Sequence, residues 1–147
     1  MPQTAFRTLH HACAALGTRL FTITICDHAA GLVHRAYSSH PREYPAMGTK
    51  PMTRDAWYEQ VIVNRRDFLA NTTAEFEQVF FDHALITSMG LGSALNLPVS
   101  DPAVATAEGV LGTINLLAEA HHFTPARLQA YQSLAASHNA ALRAAMI

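Results

Sequence analysis

Ser93-Ala94-Leu95-Asn96-Leu97-Pro98-Val99 and Gly109-Val110-Leu111-Gly112-Thr113-Ile114-Asn115-Leu116 decide how this chain is read. Each is an apolar, partly β-branched run of strand length, and the stretch between them, Ser100 to Glu108, reads as a loop. The two runs are expected to pair as an antiparallel hairpin. Pro98 has no N–H to donate, so it belongs near the strand end or on an open edge. Side chains alternate along a strand, and the register that best matches the two runs puts Asn96 and Asn115 on opposite sides of the sheet.

Working toward the N-terminus, Leu20 to Cys26 alternates Thr with Ile and predicts a strand with one buried face. Asp27 to Gly31 has turn chemistry, and Leu32 to Tyr37 completes a second hairpin. Ahead of it, Phe6, Leu9, Cys13 and Leu16 recur at helical steps, and Gly17 is placed to end that helix. Between the hairpins, Ser38 to Pro51 contains Pro41, Pro45, Gly48 and Pro51 and reads as one long loop. Thr53 is expected to cap a helix carrying Trp57, Tyr58, Val61 and Ile62. Phe68 to Ala70 reads as a short strand. Thr72 and Glu75 have capping-box spacing ahead of Phe76, Val79 and Phe80. Asp82 is expected to cap a helix from His83 to Met89 that Gly90 ends. Thr124 and Pro125 open one long final helix, with Leu128, Tyr131, Ala135, His138 and Leu142 on its buried stripe. Hairpin-joined strands with helices grouped around them predict an α+β domain built on an antiparallel sheet of about five strands.

Length and composition narrow the class. The chain has 147 residues, the size of one domain, so residues 1–147 are read as a single unit. Ten Lys plus Arg stand against eleven Asp plus Glu with no basic run, which argues against a nucleic-acid surface. Only 14% of the residues are charged, and a surface that poor in charge is expected to be partly covered by a partner chain. Two cysteines, Cys13 and Cys26, are too few for a disulfide framework and read as reduced thiols. The segment Met1 to Arg7 lacks the build of a signal peptide, and no apolar run approaches the ~20 residues that cross a bilayer. The expected location is the cytoplasm, away from membranes.

The two opening segments resemble a strand pair of the GAF family. Ser93 to Val99 is similar to the GAF strand that ends in a hydrophobic-Pro-hydrophobic step, and Gly109 to Leu116 to its partner, which holds a glycine between apolar residues. The element order resembles a GAF domain over nearly the whole chain. His40-Pro41-Arg42-Glu43-Tyr44-Pro45 and Lys50-Pro51-Met52 resemble segments of small stand-alone bacterial GAF proteins. The resemblance implies a five- or six-stranded antiparallel sheet flanked by helices. It also implies a pocket for a small molecule between the sheet and the elements on one face, and dimers formed through the terminal helices. Ligands across the family include cyclic nucleotides, tetrapyrroles, haem, amino acids and 2-oxo acids.

The subclasses fit unequally. Asn64-Arg65 and Phe68 echo only the beginning of the cyclic-nucleotide signature of phosphodiesterases, and no Asp-Glu pair follows. Neither cysteine has a histidine beside it, as a covalent bilin site would need. Free methionine-R-sulfoxide reductases carry cysteines in their pocket loops, whereas this chain has none after Cys26.

Pockets are mostly apolar and aromatic with a few placed polar groups. Tyr37, Trp57, Tyr58, Asn71, Phe76, Phe80 and Asn96 are the residues expected to line one here. Asn96 is included because a buried mid-strand amide needs partners that a ligand could supply. No cofactor is indicated. Nine histidines offer no His-x3-His step, so the only metal arrangement left open joins His34, His40 and His83.

Three readings follow. The first is a sensory domain that binds a small organic molecule, amino-acid- or oxo-acid-like. With no kinase, cyclase or DNA-binding segment in the sequence, its output is expected to pass through a partner or a homodimer. The second is a redox enzyme related to the free methionine-R-sulfoxide reductases, acting through Cys26 or a histidine. The third is a ligand-free module that dimerises through its terminal helices, where Ala135, Ala136, Ala140 and Ala141 permit close packing.

Overall fold

A computed structural model describes residues 2–147. Helix α1 (Pro2–Ala15) leads into strands β1 (Leu20–Asp27), β2 (Leu32–Ser38) and β3 (Lys50–Pro51). Helix α2 (Ala56–Tyr58) runs on into a π-helical turn (Glu59–Val63), followed by β4 (Phe68–Ala70), α3 (Thr73–Phe76) and α4 (His83–Ser88). Strands β5 (Ser93–Ser100) and β6 (Val110–Ala118) form the hairpin expected from sequence, and α5 (Pro125–Ser137) and α6 (Asn139–Met146) close the chain. All pairings are antiparallel, in the order β3-β2-β1-β6-β5-β4. Six strands therefore form the sheet. The sixth is the two-residue β3, inside the stretch read from sequence as loop, where Lys50 and Pro51 pair with Val33 and Leu32. Pro98 lies past the end of β4, whose last pair is Phe68 with Asn96, so its missing donor faces no neighbour there.

One side of the sheet carries the main core. Phe21 and Ile23 of β1, Ile114 and Leu116 of β6 and Leu95, Leu97 and Val99 of β5 pack against α1, α5 and α6. Each such side chain stabilises the fold by about 1.5–3 kcal/mol. Phe6, Leu9 and Cys13 form the buried stripe of α1, as their spacing predicts. Gly17 ends that region with φ 108°, and a Cβ there would lie 2.7 Å from Cε1 of His122, so both conformation and space require glycine. The final helix is divided rather than continuous. His138 has φ −99° and ψ 2°, and its Nδ1 lies 2.9 Å from the Leu134 carbonyl, which separates α5 from α6.

The other side is covered by the segment after β2, by α2 and its π-turn, and by α3 and α4. Local chemistry here departs from the sequence reading at two caps. Asp55, not Thr53, caps α2, accepting from the Tyr58 N–H at 2.9 Å. Asp82 makes no cap bond to α4; its carboxylate accepts from the Tyr44 hydroxyl at 2.6 Å instead. Of the Thr72–Glu75 box, the Thr72 hydroxyl accepts from the Glu75 N–H at 3.4 Å as expected, while Glu75 Oε1 accepts from that same hydroxyl at 3.0 Å instead of from the Thr72 N–H.

Two β-bulges set the register. Between β5 and β6 the pairing steps from Ser100↔Val110 to Val99↔Gly112, leaving Leu111 as the extra residue. Between β1 and β2 it steps from Ile23↔Tyr37 to Thr24↔Arg35, leaving Ala36 as the extra residue. A one-residue step exchanges the faces of every side chain beyond it.

Candidate functional site

The first bulge overturns the expected placement of the two asparagines. Without Leu111 as an extra residue, Asn96 would oppose Ile114; with it, Asn96 and Asn115 are direct partners and point to the same side. Asn115 in turn opposes Thr22 on β1. One polar row thus crosses the sheet from Thr22 through Asn115 to Asn96. A second row, one step along, runs from Arg35 through Thr24 and Thr113 to Pro98. Both rows face the side away from α1, α5 and α6.

Above them lies a cavity of about 550 Å³, within the range that holds a small organic ligand. Its floor is Thr22, Thr24, Thr113, Asn96 and Asn115, and its apolar walls include Trp57, Tyr58, Ile62, Phe80 and Ile86. Thr22 and Asn96 are 6% exposed and Thr113 2%, and Thr24 and Asn115 are half-buried, so most of the floor is withdrawn from bulk water. The amides are held in a continuous chain. The Trp57 indole N–H donates to Asn96 Oδ1 at 2.9 Å, Asn96 Nδ2 to Asn115 Oδ1 at 3.0 Å, and Asn115 Nδ2 to the hydroxyls of Thr22 and Thr24 at 3.2 and 3.0 Å. Trp57 is delivered to this position by the Asp55 cap and by the burial of Tyr58, Val61 and Ile62 beneath it.

The charged groups sit toward the segment after β2. Arg35 lines the cavity, with its guanidinium 4.9 Å from the Tyr44 ring centre and Nη1 donating to the Pro45 carbonyl at 3.1 Å. The Tyr44 hydroxyl is bonded to Asp82, so the proline-bearing segment is fastened across to the start of α4. Burial and the neighbouring Asp82 carboxylate push the Tyr44 ionisation upward, keeping it a neutral donor. Glu43 also lines the cavity, and Lys50 lies 5.4 Å from the ring of the exposed Phe81.

Of the seven residues expected at a site, Trp57, Tyr58, Phe80 and Asn96 line this cavity. The other three do not. Tyr37 falls on the opposite side because the bulge at Ala36 separates it from Arg35; its hydroxyl meets Nδ1 of His10 at 2.7 Å and its ring packs on Phe6 and Phe21. Asn71 ties two chain segments together, donating to the Phe123 carbonyl and accepting from the Phe123 N–H, both at 3.0 Å. Phe76 is fully buried behind Phe80 in the core of that side. Sequence reasoning missed Thr22, Thr24, Thr113, Asn115 and Arg35. Alternation of Thr with Ile in β1 signals that Thr22 and Thr24 share a face, but not what that face looks onto.

Cys26 lines the cavity, yet burial pushes its thiol up to about 11, and burial pushes Cys13 to about 12. Neither is poised as a thiolate near neutral pH. Among the described residues, no group of three or more His, Cys, Asp or Glu side chains could hold a metal ion. No helix among them is long and apolar enough to cross a membrane.

No protein-family model matches the chain, and no curated protein does. Solved structures do. The GAF domain of a two-component sensor histidine kinase from Bacillus halodurans superposes with a TM-score of 0.73 at 9% identity, covering 96% of this chain and 92% of that one. The fold is that of a GAF domain. The second GAF domain of DevS from Mycobacterium smegmatis matches with a TM-score of 0.65 at 20% identity, over 99% of this chain and 95% of the other. The GAF domain of an Acinetobacter phosphoenolpyruvate-protein phosphotransferase matches with a TM-score of 0.69 at 13% identity, over 98% and 82%. Identities this low establish the GAF architecture and leave function to the site itself.

Proposed function

We propose that this chain is a sensory GAF domain that binds a small organic molecule in the cavity between the sheet and the Trp57 segment. The observation that carries the reading is the floor. Buried and half-buried Thr and Asn side chains occupy the centre of a sheet face where apolar residues would be more stabilising, and they are held in register beneath an aromatic wall. The GAF architecture shared with a sensor histidine kinase domain supports the regulatory part of this reading.

The route out of the site is short. Strands β1 and β6 present Thr22, Thr24 and Asn115 to the cavity and Phe21, Ile23, Ile114 and Leu116 to the helices. A ligand that shifts the polar row shifts the opposite side chains with it, and those pack on α1, α5 and α6. The helix layer is therefore the proposed output, through a homodimer or a partner protein.

Thermal unfolding across a metabolite library tests the reading, since a ligand at 100 times its Kd stabilises the native state by about 2.7 kcal/mol. A compound that raises Tm in the parent and fails to do so in Asn115→Leu is the expected result. A library without any stabilising compound at millimolar concentration would refute it.

A further inference from the structure

Trp57 fixes the direction of the hydrogen-bond chain beneath it. An indole N–H can only donate, so Asn96 must meet it with its carbonyl oxygen. That turns the Asn96 amide nitrogen toward Asn115, which must answer with Oδ1. Asn115 is left to donate through its nitrogen to both Thr22 and Thr24. Both threonine oxygens are acceptors in these bonds, so both hydroxyl protons remain to be donated. Among the described residues neither hydroxyl has a second partner. Thr113 stands directly opposite Thr24, and its hydroxyl has no side-chain or backbone partner among them either.

The next residue across the row is Arg35, the cross-strand partner of Thr24. Directly opposed side chains of an antiparallel pair have Cβ atoms about 4.5–5.5 Å apart, so the guanidinium stem starts beside the threonine. Nε of Arg35 is buried and has no hydrogen-bond partner. An unmet buried donor costs about 1–3 kcal/mol, more when charged. The cavity floor is thus a patch of unfilled donors from three strands. Two of the carboxylates around it are already occupied, Asp55 by the Tyr58 N–H and Asp82 by the Tyr44 hydroxyl.

We infer that the cavity selects a small organic monocarboxylate with a flat apolar body. Its oxygens accept from the Thr22 and Thr24 hydroxyls and from the Arg35 guanidinium, which lines the cavity, and its body lies against Trp57, Tyr58 and Phe80. One negative charge is specified because Glu43, Asp55 and Asp82 line the same cavity against Arg35 and Lys50, so a second would meet carboxylates with no cation left to offset it. The inference rests on the cavity being a ligand site and adds the chemistry of what enters it.

Calorimetric titration tests it with benzoate, phenylacetate and 3-phenylpropionate, each paired with its uncharged amide, and with phenethylamine as the cationic counterpart. The parent, Arg35→Gln and Thr24→Val are compared, and thermal unfolding shows which variants fold. At least one carboxylate is expected to bind about tenfold or more tightly than its amide. That margin should shrink to less than about threefold in Arg35→Gln, with several-fold weaker carboxylate binding in Thr24→Val. If Arg35→Gln does not fold, the margin over the amide and the Thr24→Val result decide. Amides or the amine binding as tightly as the acids would overturn the ligand class while leaving the cavity a binding site. A carboxylate preference untouched in the folded variants would overturn the placement. No binding by any of the seven probes would overturn this inference, while stabilisation by other library compounds would keep the sensor reading alive.

Discussion

Gly112 is the position where one added carbon should disturb both the fold and the site. It pairs with Val99 across the bulge on one side and with Ile25 on the other. A Cβ there would run into the carbonyl oxygen of Thr24 and lie 3.2 Å from Ile25 Cα and from Cε of Met146. The first two obstacles are backbone, so no side-chain rotation relieves them. Strand β1 would have to retreat from β6 by more than about 1 Å to restore ordinary contact. A ladder bond near 2.9 Å is then stretched past the range in which it counts. Losing one or two such bonds at about 0.5–1.5 kcal/mol each, with the strain of overpacking at about 1–3 kcal/mol, gives a loss of roughly 2–5 kcal/mol for Gly112→Ala. At about 2–4 °C per kcal/mol in a domain of this size, Tm should fall by roughly 4–20 °C. Gly31→Ala is the control: φ is 67°, but no atom lies within 4 Å of the added carbon, so its cost is conformational alone, about 1 kcal/mol. Urea unfolding followed by Trp57 emission reads both variants, because Trp57 is the sole tryptophan and is bonded to the row that Gly112 adjoins. Equal stability of the two variants would refute the reasoning that close strand approach at Gly112 holds the site's register.

Four further outcomes are expected. Burial holds the imidazole of His122 below its ordinary value, with Arg127 adding to the effect and Glu119 opposing it, and burial does the same for His10, aided by His11 and His40. The unfolded chain then binds more protons, so stability should fall as pH drops below about 6.5; a denaturation midpoint flat from neutral pH into that acid range would contradict it. Tyr44→Phe removes the bond to Asp82 and should cost about 1–2 kcal/mol and speed proteolysis at Arg42, with unchanged cleavage counting against a fastening role. Both thiols should resist a thiol reagent at pH 8 in the folded protein and react fully in denaturant; rapid native labelling of Cys26 would revive a redox reading. Asn115→Asp replaces a donor with an acceptor, turning the Thr22 and Thr24 protons inward, so any carboxylate binding in the parent should weaken by tenfold or more and give way to preference for the amine probe.

Much of the fold was legible in local chemistry. The β5–β6 hairpin, the alternating β1, the Thr72–Glu75 box and the Thr124-Pro125 start of α5 each depend on residues within a few positions of one another. Strand β3 was hidden because two residues, one of them proline, carry no periodicity, and only the waiting edge of β2 makes them a strand. Asp82 looks like a cap by spacing, but Tyr44, 38 residues earlier in the chain, claims its carboxylate.

The sequence by itself determined that there would be an antiparallel sheet with helices around it, and that Thr22 and Thr24 would share a face, because alternation and capping act over a few residues. Only the tertiary structure decided which polar groups meet. Leu111 and Ala36 are each a single surplus residue, nothing in their side chains announces a bulge, and their positions follow from how whole strands align against their neighbours. Those two steps turn Asn115 toward Asn96 and Tyr37 away from Arg35, since a strand's period of two converts a shift of one residue into a change of face.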